Sequence, residues 1–78
     1  MKKLRKRQLT LREQEVLNYV TEGLTNNEIA DKLLITHHTV KAHIAAVLRK
    51  FGVRNRLEAA LYAIEKGLVI HRQDSVQP

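Results

Sequence analysis

Three times in this 78-residue chain a short polar side chain is followed, three positions later, by a glutamate: Thr10 and Glu13, Thr25 and Glu28, Asn55 and Glu58. That spacing is the capping box, in which the first side chain accepts a hydrogen bond from the N3 backbone N–H and the glutamate reaches back to the cap's own N–H. Thr36 supplies a fourth cap, with Ile35 and Val40 placed to staple it. Four helix starts leave little chain for anything else. Glycines at 23, 52 and 67 lie where such helices must stop, the only proline is the last residue, and no stretch alternates as a strand would. The expectation is an all-α, compact, four-helix bundle-like domain with helices over 11–22, 26–33, 37–50 and 56–66.

The apolar spacing assigns each helix an inner face. Val16, Leu17 and Val20 mark the first, Leu24 and Ile29 staple the second, and Val40, Ile44, Val47, Leu48 and Phe51 form the clearest stripe in the chain. In the fourth, Leu57, Ala60, Leu61 and Ile64 are expected inward, with Leu68 and Val69 folding back onto the core. Ala59, Tyr62, Ala63 and Lys66 then face away, as small apolar surface that suits a partner. The division expected is a basic flexible arm or linker over 1–8, the helical domain over 9–70 and a frayed polar tail over 71–78.

Composition narrows the function. A chain this short yields only about 3–5 kcal/mol from a single core, which leaves no room for a deep catalytic pocket. It has no cysteine, so neither disulfides nor thiolate-bound zinc are available. No Ser-His-Asp order, phosphate-binding glycine loop or convergent carboxylate pair is visible, and Glu13, Glu15 and Glu28 are explained as caps and surface charge. Neither enzyme activity nor a cofactor is expected. No apolar run approaches the roughly 18 residues of a membrane span, so no membrane partner is expected, and the absence of cysteine fits a reducing, cytoplasmic setting.

The charge of +6 is organised in blocks. Residues 1–8 carry five Lys/Arg and no acid, 9–35 carry two bases against five acids, and 36–56 carry Lys41, Arg49, Lys50, Arg54 and Arg56 with no acid. A simple solvated surface would intersperse the signs, whereas segregated bases suit a polyanion whose counterions they displace.

His37, His38 and His43 crowd the third helix and raise the question of a metal. At about 100° per residue from Val40, they fall near 60°, 160° and 300°, on three different sides, so they do not converge on one ion. The same wheel sets Ala42, Ala45, Ala46, His38 and Arg49 outward and Lys41 on the flank. This face is small in its middle and basic at its borders. A face of that shape lets a helix backbone approach base edges in a major groove, although alanines chosen for helix propensity alone would read the same way.

Taken in order, Arg12-Glu13 with Glu15-Val16-Leu17, then Glu22 to Ala30, Thr39-Val40-Lys41 with His43, and Val53 with Asn55-Arg56 and Glu58-Ala59 resemble the LuxR-type (GerE, NarL/FixJ-like) helix-turn-helix domain over residues 9–69. The resemblance implies sequence-specific binding to double-stranded DNA by a transcriptional regulator or its excised effector domain, with the third helix in the major groove. It implies a homodimer through the fourth helix, at Ala59, Tyr62, Ala63 and Lys66, and RNA polymerase as a further partner. Its base-reading positions fall on Lys41, Ala42 and Ala45, to which His38 and Arg49 add polar reach; backbone contacts fall on Thr25, Asn26, Asn27, Thr36, Thr39, Arg54 and Arg56. Ala45 departs from the larger or basic residue of many relatives, shifting weight to thymine-methyl contact and DNA shape. His43 occupies the family's histidine position, where packing and a local hydrogen bond are its expected role. Two other readings stand beside this one: a protein-interaction module or antagonist pairing through the fourth helix, and a sigma-factor region, which the Thr39 to His43 and Asn55 to Ala59 segments disfavour.

Overall fold

Each helix starts where a side chain satisfies an otherwise orphaned backbone N–H. The computed structural model describes residues 8–69, which form α1 (Leu11–Thr21), α2 (Asn26–Leu33), α3 (His37–Phe51) and α4 (Arg56–Glu65), with no strand among the described residues. The fold is all-α, as expected, and each predicted boundary lies within one residue of the observed one. Apart from Gln8, the basic arm expected over 1–8 lies outside the described residues, as does the tail over 71–78.

Two capping boxes close fully. Glu13 N–H donates to Thr10 Oγ1 at 3.1 Å while Thr10 N–H donates to Glu13 Oε1 at 2.9 Å; Thr25 and Glu28 repeat this at 3.1 and 2.8 Å. The third is only half made. Asn55 Oδ1 accepts from Glu58 N–H at 2.9 Å, but the Glu58 carboxylate takes the N–H of Arg54, not that of Asn55, also at 2.9 Å. The cause is the approach of the chain: Thr10 and Thr25 have φ of −74° and −78°, whereas Asn55 is fully extended at −153°.

The ends are less uniform than the starts. Gly23, Gly52 and Gly67 follow α1, α3 and α4 with positive φ, but α2 ends on Leu34 at φ 58°, ψ 45°. A Cβ there costs roughly 1–2 kcal/mol, and the side chain recovers nothing, being 90% exposed. This turn is set by α2 and α3 closing around it, with Ile35 N–H donating to Ala30 O at 3.1 Å.

α1 divides the core. Val16 and Val20 join Ile29, Ala30 and Val40 on one side, while Leu17 meets Val47, Ala59 and Ala63 on the other. α3 packs against all three other helices, so the position of its outward face is fixed by every element of the fold.

α4 packs with the opposite face to the one expected. Ala59 and Ala63 are buried at 2% and 0% exposure, whereas Leu57, Leu61 and Ile64 stand out at 66%, 57% and 59%. Of the four residues expected inward, Ala60 alone is half-buried. The alanines let the α4 backbone close directly onto α1 and α3, a distance at which leucines would collide. Tyr62 is half-buried too, its ring 4.5 Å from that of Phe51, and Lys66 is exposed with its ammonium 5.7 Å from the Tyr62 centroid.

Candidate nucleic-acid interface

The helix-turn-helix pair is α2 and α3, joined by the Leu34 turn. On α3 the five residues singled out as readers, His38, Lys41, Ala42, Ala45 and Arg49, are all exposed. They occupy one arc, about 100–200° from Val40. Ala46, expected on this face, is instead buried at 9% exposure, because α3 is covered on three sides and the packed arc extends past it. The outward strip is therefore narrower than the wheel suggested: two alanines between a lysine, an arginine and a histidine.

The histidines do not act together. His37 and His38 are exposed at the start of α3, whereas His43 is half-buried on its flank. Among the described residues no three His, Cys, Asp or Glu side chains gather as metal ligands would.

The two helix starts differ in how they are held. Thr36 Oγ1 accepts from Thr39 N–H at 3.0 Å and lies 2.8 Å from Thr39 Oγ1, so this cap is made of two hydroxyls and carries no acid. Thr25 is exposed at the head of α2, followed by half-buried Asn26 and exposed Asn27. Together with His37 and Arg56 these residues line an open concavity of about 510 Å³.

The five bases of the 36–56 block are not five free charges. Lys50 Nζ donates to Glu13 Oε1 at 2.7 Å and to Gln8 O at 3.2 Å, tying the last turn of α3 to the start of α1. Arg56 donates to Asn26 Oδ1 at 2.7 Å and to Leu24 O at 2.8 Å. Arg54 stays exposed, pairing with Glu58 Oε2 at 3.3 Å across a solvated i,i+4 step. That leaves Lys41 and Arg49 on α3 and Arg54 beyond it as the displayed cations of the block.

The Glu13 clamp was missed by sequence reasoning, which took the residue as a cap; the local pattern shows that role but not a lysine 37 positions away. Burial pushes the Glu13 carboxyl up, but the Lys50 hydrogen bond, the Thr10 N–H and the charges of Lys50 and His43 outweigh it, and the net shift is below the usual glutamate range. The Glu58 carboxyl is also lowered, chiefly by the Arg54 N–H.

A lowered carboxylate stabilises the fold fully above its unfolded value, and that contribution fades as pH falls through the folded one. Glu13→Gln should therefore reduce stability at neutral pH and flatten the acid limb of the stability curve, bringing variant and parent together at low pH. Urea titrations across the acid range check this; parallel curves at every pH would refute it.

Comparison with known proteins gives a consistent result. A family model described as "Bacterial regulatory proteins, luxR family" (GerE) matches residues 7–63. The transcriptional regulatory protein LnrK of Bacillus subtilis is 47% identical over 62 residues, covering 80% of this chain and 28% of its own length. LiaR of the same organism is 49% identical over 61 residues, covering 78% and 29%. The solved structure of the transcription factor GerE superimposes with a TM-score of 0.73 at 31% identity, over 80% of this chain and 92% of that one. The chain thus spans under a third of LnrK and LiaR but nearly the whole of GerE.

Proposed function

We propose, from the premise that the chain belongs to the luxR family of bacterial regulatory proteins and is a helix-turn-helix DNA-binding domain of a transcriptional regulator, that α3 lies in the major groove and α4 pairs two copies. The observation that carries the groove assignment is the exposed arc of α3, where Ala42 and Ala45 leave room for the backbone to approach base edges between Lys41, Arg49 and His38. Lys41 is the principal polar reader, and the alanine methyls meet thymine methyls. Thr25, Asn27, Thr36 and Thr39 face phosphates from the two helix starts, where unpaired N–H groups and the helix dipole favour anions, while the Asn26 side chain beside them is engaged by Arg56. Arg54 adds an exposed charge.

For α4 the pairing surface is Leu57, Leu61 and Ile64, one helical face of large apolar side chains exposed on a small domain. Burying each is worth about 1.5–3 kcal/mol, which a second copy supplies in the same stroke as a second recognition helix about 34 Å away. The working unit is residues 9–70, acting in the cytoplasm where DNA and RNA polymerase are met. No helix among the described residues is long and apolar enough to cross a membrane.

The test is a selection of bound fragments from random duplex DNA, followed by salt titration. Lys41→Ala should lose discrimination by about 1–3 kcal/mol at one position of the selected site. Arg54→Ala should weaken every site alike and reduce the salt slope by about one unit. Equal effects from the two would refute the division between reading and positioning. A chain that binds no duplex at low salt, yet strips a larger regulator from its DNA, would support the antagonist reading, which the same α4 stripe serves.

A further inference from the structure

Arg56 was expected to contact phosphate, and its surroundings point elsewhere. No Cα of α2 lies within 8 Å of one in α4, so the two helices do not pack on each other. Besides their shared packing on α1 and α3, a direct side-chain link runs between them: the guanidinium of Arg56, the first residue of α4, reaches Asn26, the first residue of α2, at 2.7 Å through one terminal nitrogen and Leu24 O at 2.8 Å through the other. Asn26 Oδ1 and the Leu24 carbonyl each meet a different terminal nitrogen of one planar fork, where an ammonium would have a single nitrogen to offer to both.

The charge itself is poorly placed for stability. A guanidinium at the first position of its own helix, and beside the first turn of a second, faces the positive ends of two helix dipoles. Its two hydrogen bonds offset that cost, and their consequence is positional: they set the angle between the α2 start, with Thr25 and Asn27 beside the open concavity, and the helix that carries the exposed stripe.

We propose that Arg56 is a positioning residue for DNA binding. It fixes the phosphate-facing start of α2 to the pairing helix α4, so that dimer geometry and phosphate contact are set together, and it neutralises no phosphate itself. The inference rests on the DNA-binding reading given above, and assigns within it a role that charge alone does not confer.

The test uses the full 78-residue chain and a labelled duplex recovered by selection from a random pool. Arg56→Lys, which keeps the charge and loses the fork, and Arg56→Met should each bind about tenfold more weakly with an unchanged salt slope. Asn26→Ala should give a similar loss, and the Arg56→Met/Asn26→Ala pair should be no weaker than either single variant beyond about twofold. Circular dichroism confirms that each variant is folded, and Asn26→Ala carries the test if Arg56→Met is not. Full affinity in Arg56→Lys, a salt slope reduced by about one unit in Arg56→Met, or independent losses in the pair would each overturn the assignment. If the unaltered chain binds no duplex, the DNA-binding reading itself has failed instead.

Discussion

Ala63→Asp should remove the cooperative thermal transition of this domain, while Ile64→Asp, one residue further on, should leave it nearly unchanged. Ala63 is 0% exposed, in an apolar cluster with Leu17, Val47 and Ala59, and among the described residues no buried side-chain polar atom is left without a partner to pair with a new carboxylate. A carboxylate there must be buried unpaired or force α4 away from α1 and α3. Either outcome costs more than about 4 kcal/mol, comparable with the roughly 3–5 kcal/mol a core of this size supplies. Ile64 is 59% exposed, and a surface substitution of that kind stays within about 0.5 kcal/mol. Circular dichroism melts of the two variants decide the matter. A cooperative transition retained in Ala63→Asp and lost in Ile64→Asp would mean that α4 packs through its leucines after all.

That reversed face shows where sequence reasoning reaches and where it stops. Caps are legible because the partner is three residues away: Thr10, Thr25 and Thr36 meet their N–H groups as read. The face of α3 is legible because one side is apolar and large and the other small and polar. α4 is apolar on both sides, Ala59 and Ala63 against Leu57, Leu61 and Ile64, and hydrophobic size alone favours the wrong one. Which side packs depends on how closely a distant helix approaches, and no local spacing encodes that distance.

The same limit explains the basic block. Lys41, Lys50, Arg54 and Arg56 are equivalent as counted charges, and their separation from acids suggests a phosphate surface. In the fold Lys50 pairs with Glu13 and Gln8 O, and Arg56 hydrogen-bonds Leu24 O and Asn26, contacts 30 or more positions away. A net charge predicts the sign of a partner; which cations reach it is a property of tertiary contacts. The third capping box closes only halfway for a related reason, since the direction from which Arg54 and Asn55 approach α4 is set by the loop after Gly52.

Leu61→Asp separates pairing from folding. The side chain is 57% exposed and belongs to neither core cluster, so the variant should melt within a few degrees of the parent. In a two-fold dimer, however, Leu61 meets its own counterpart or a close neighbour, and an isologous contact doubles every change made in it. Two carboxylates introduced into one apolar seam repel and must be desolvated together. Sedimentation should then show a monomer at concentrations where the parent associates on DNA. Affinity for a selected two-half-site duplex should fall by about 10²–10⁴-fold, the avidity that linking two sites provides. Affinity for a duplex with a single half-site should not change, because Lys41, Ala42 and Ala45 are untouched. This last measurement separates the explanations: a parallel loss on the single half-site would mean that α4 acts on α3 within one copy, and an unchanged affinity on both would remove the exposed α4 stripe from DNA binding.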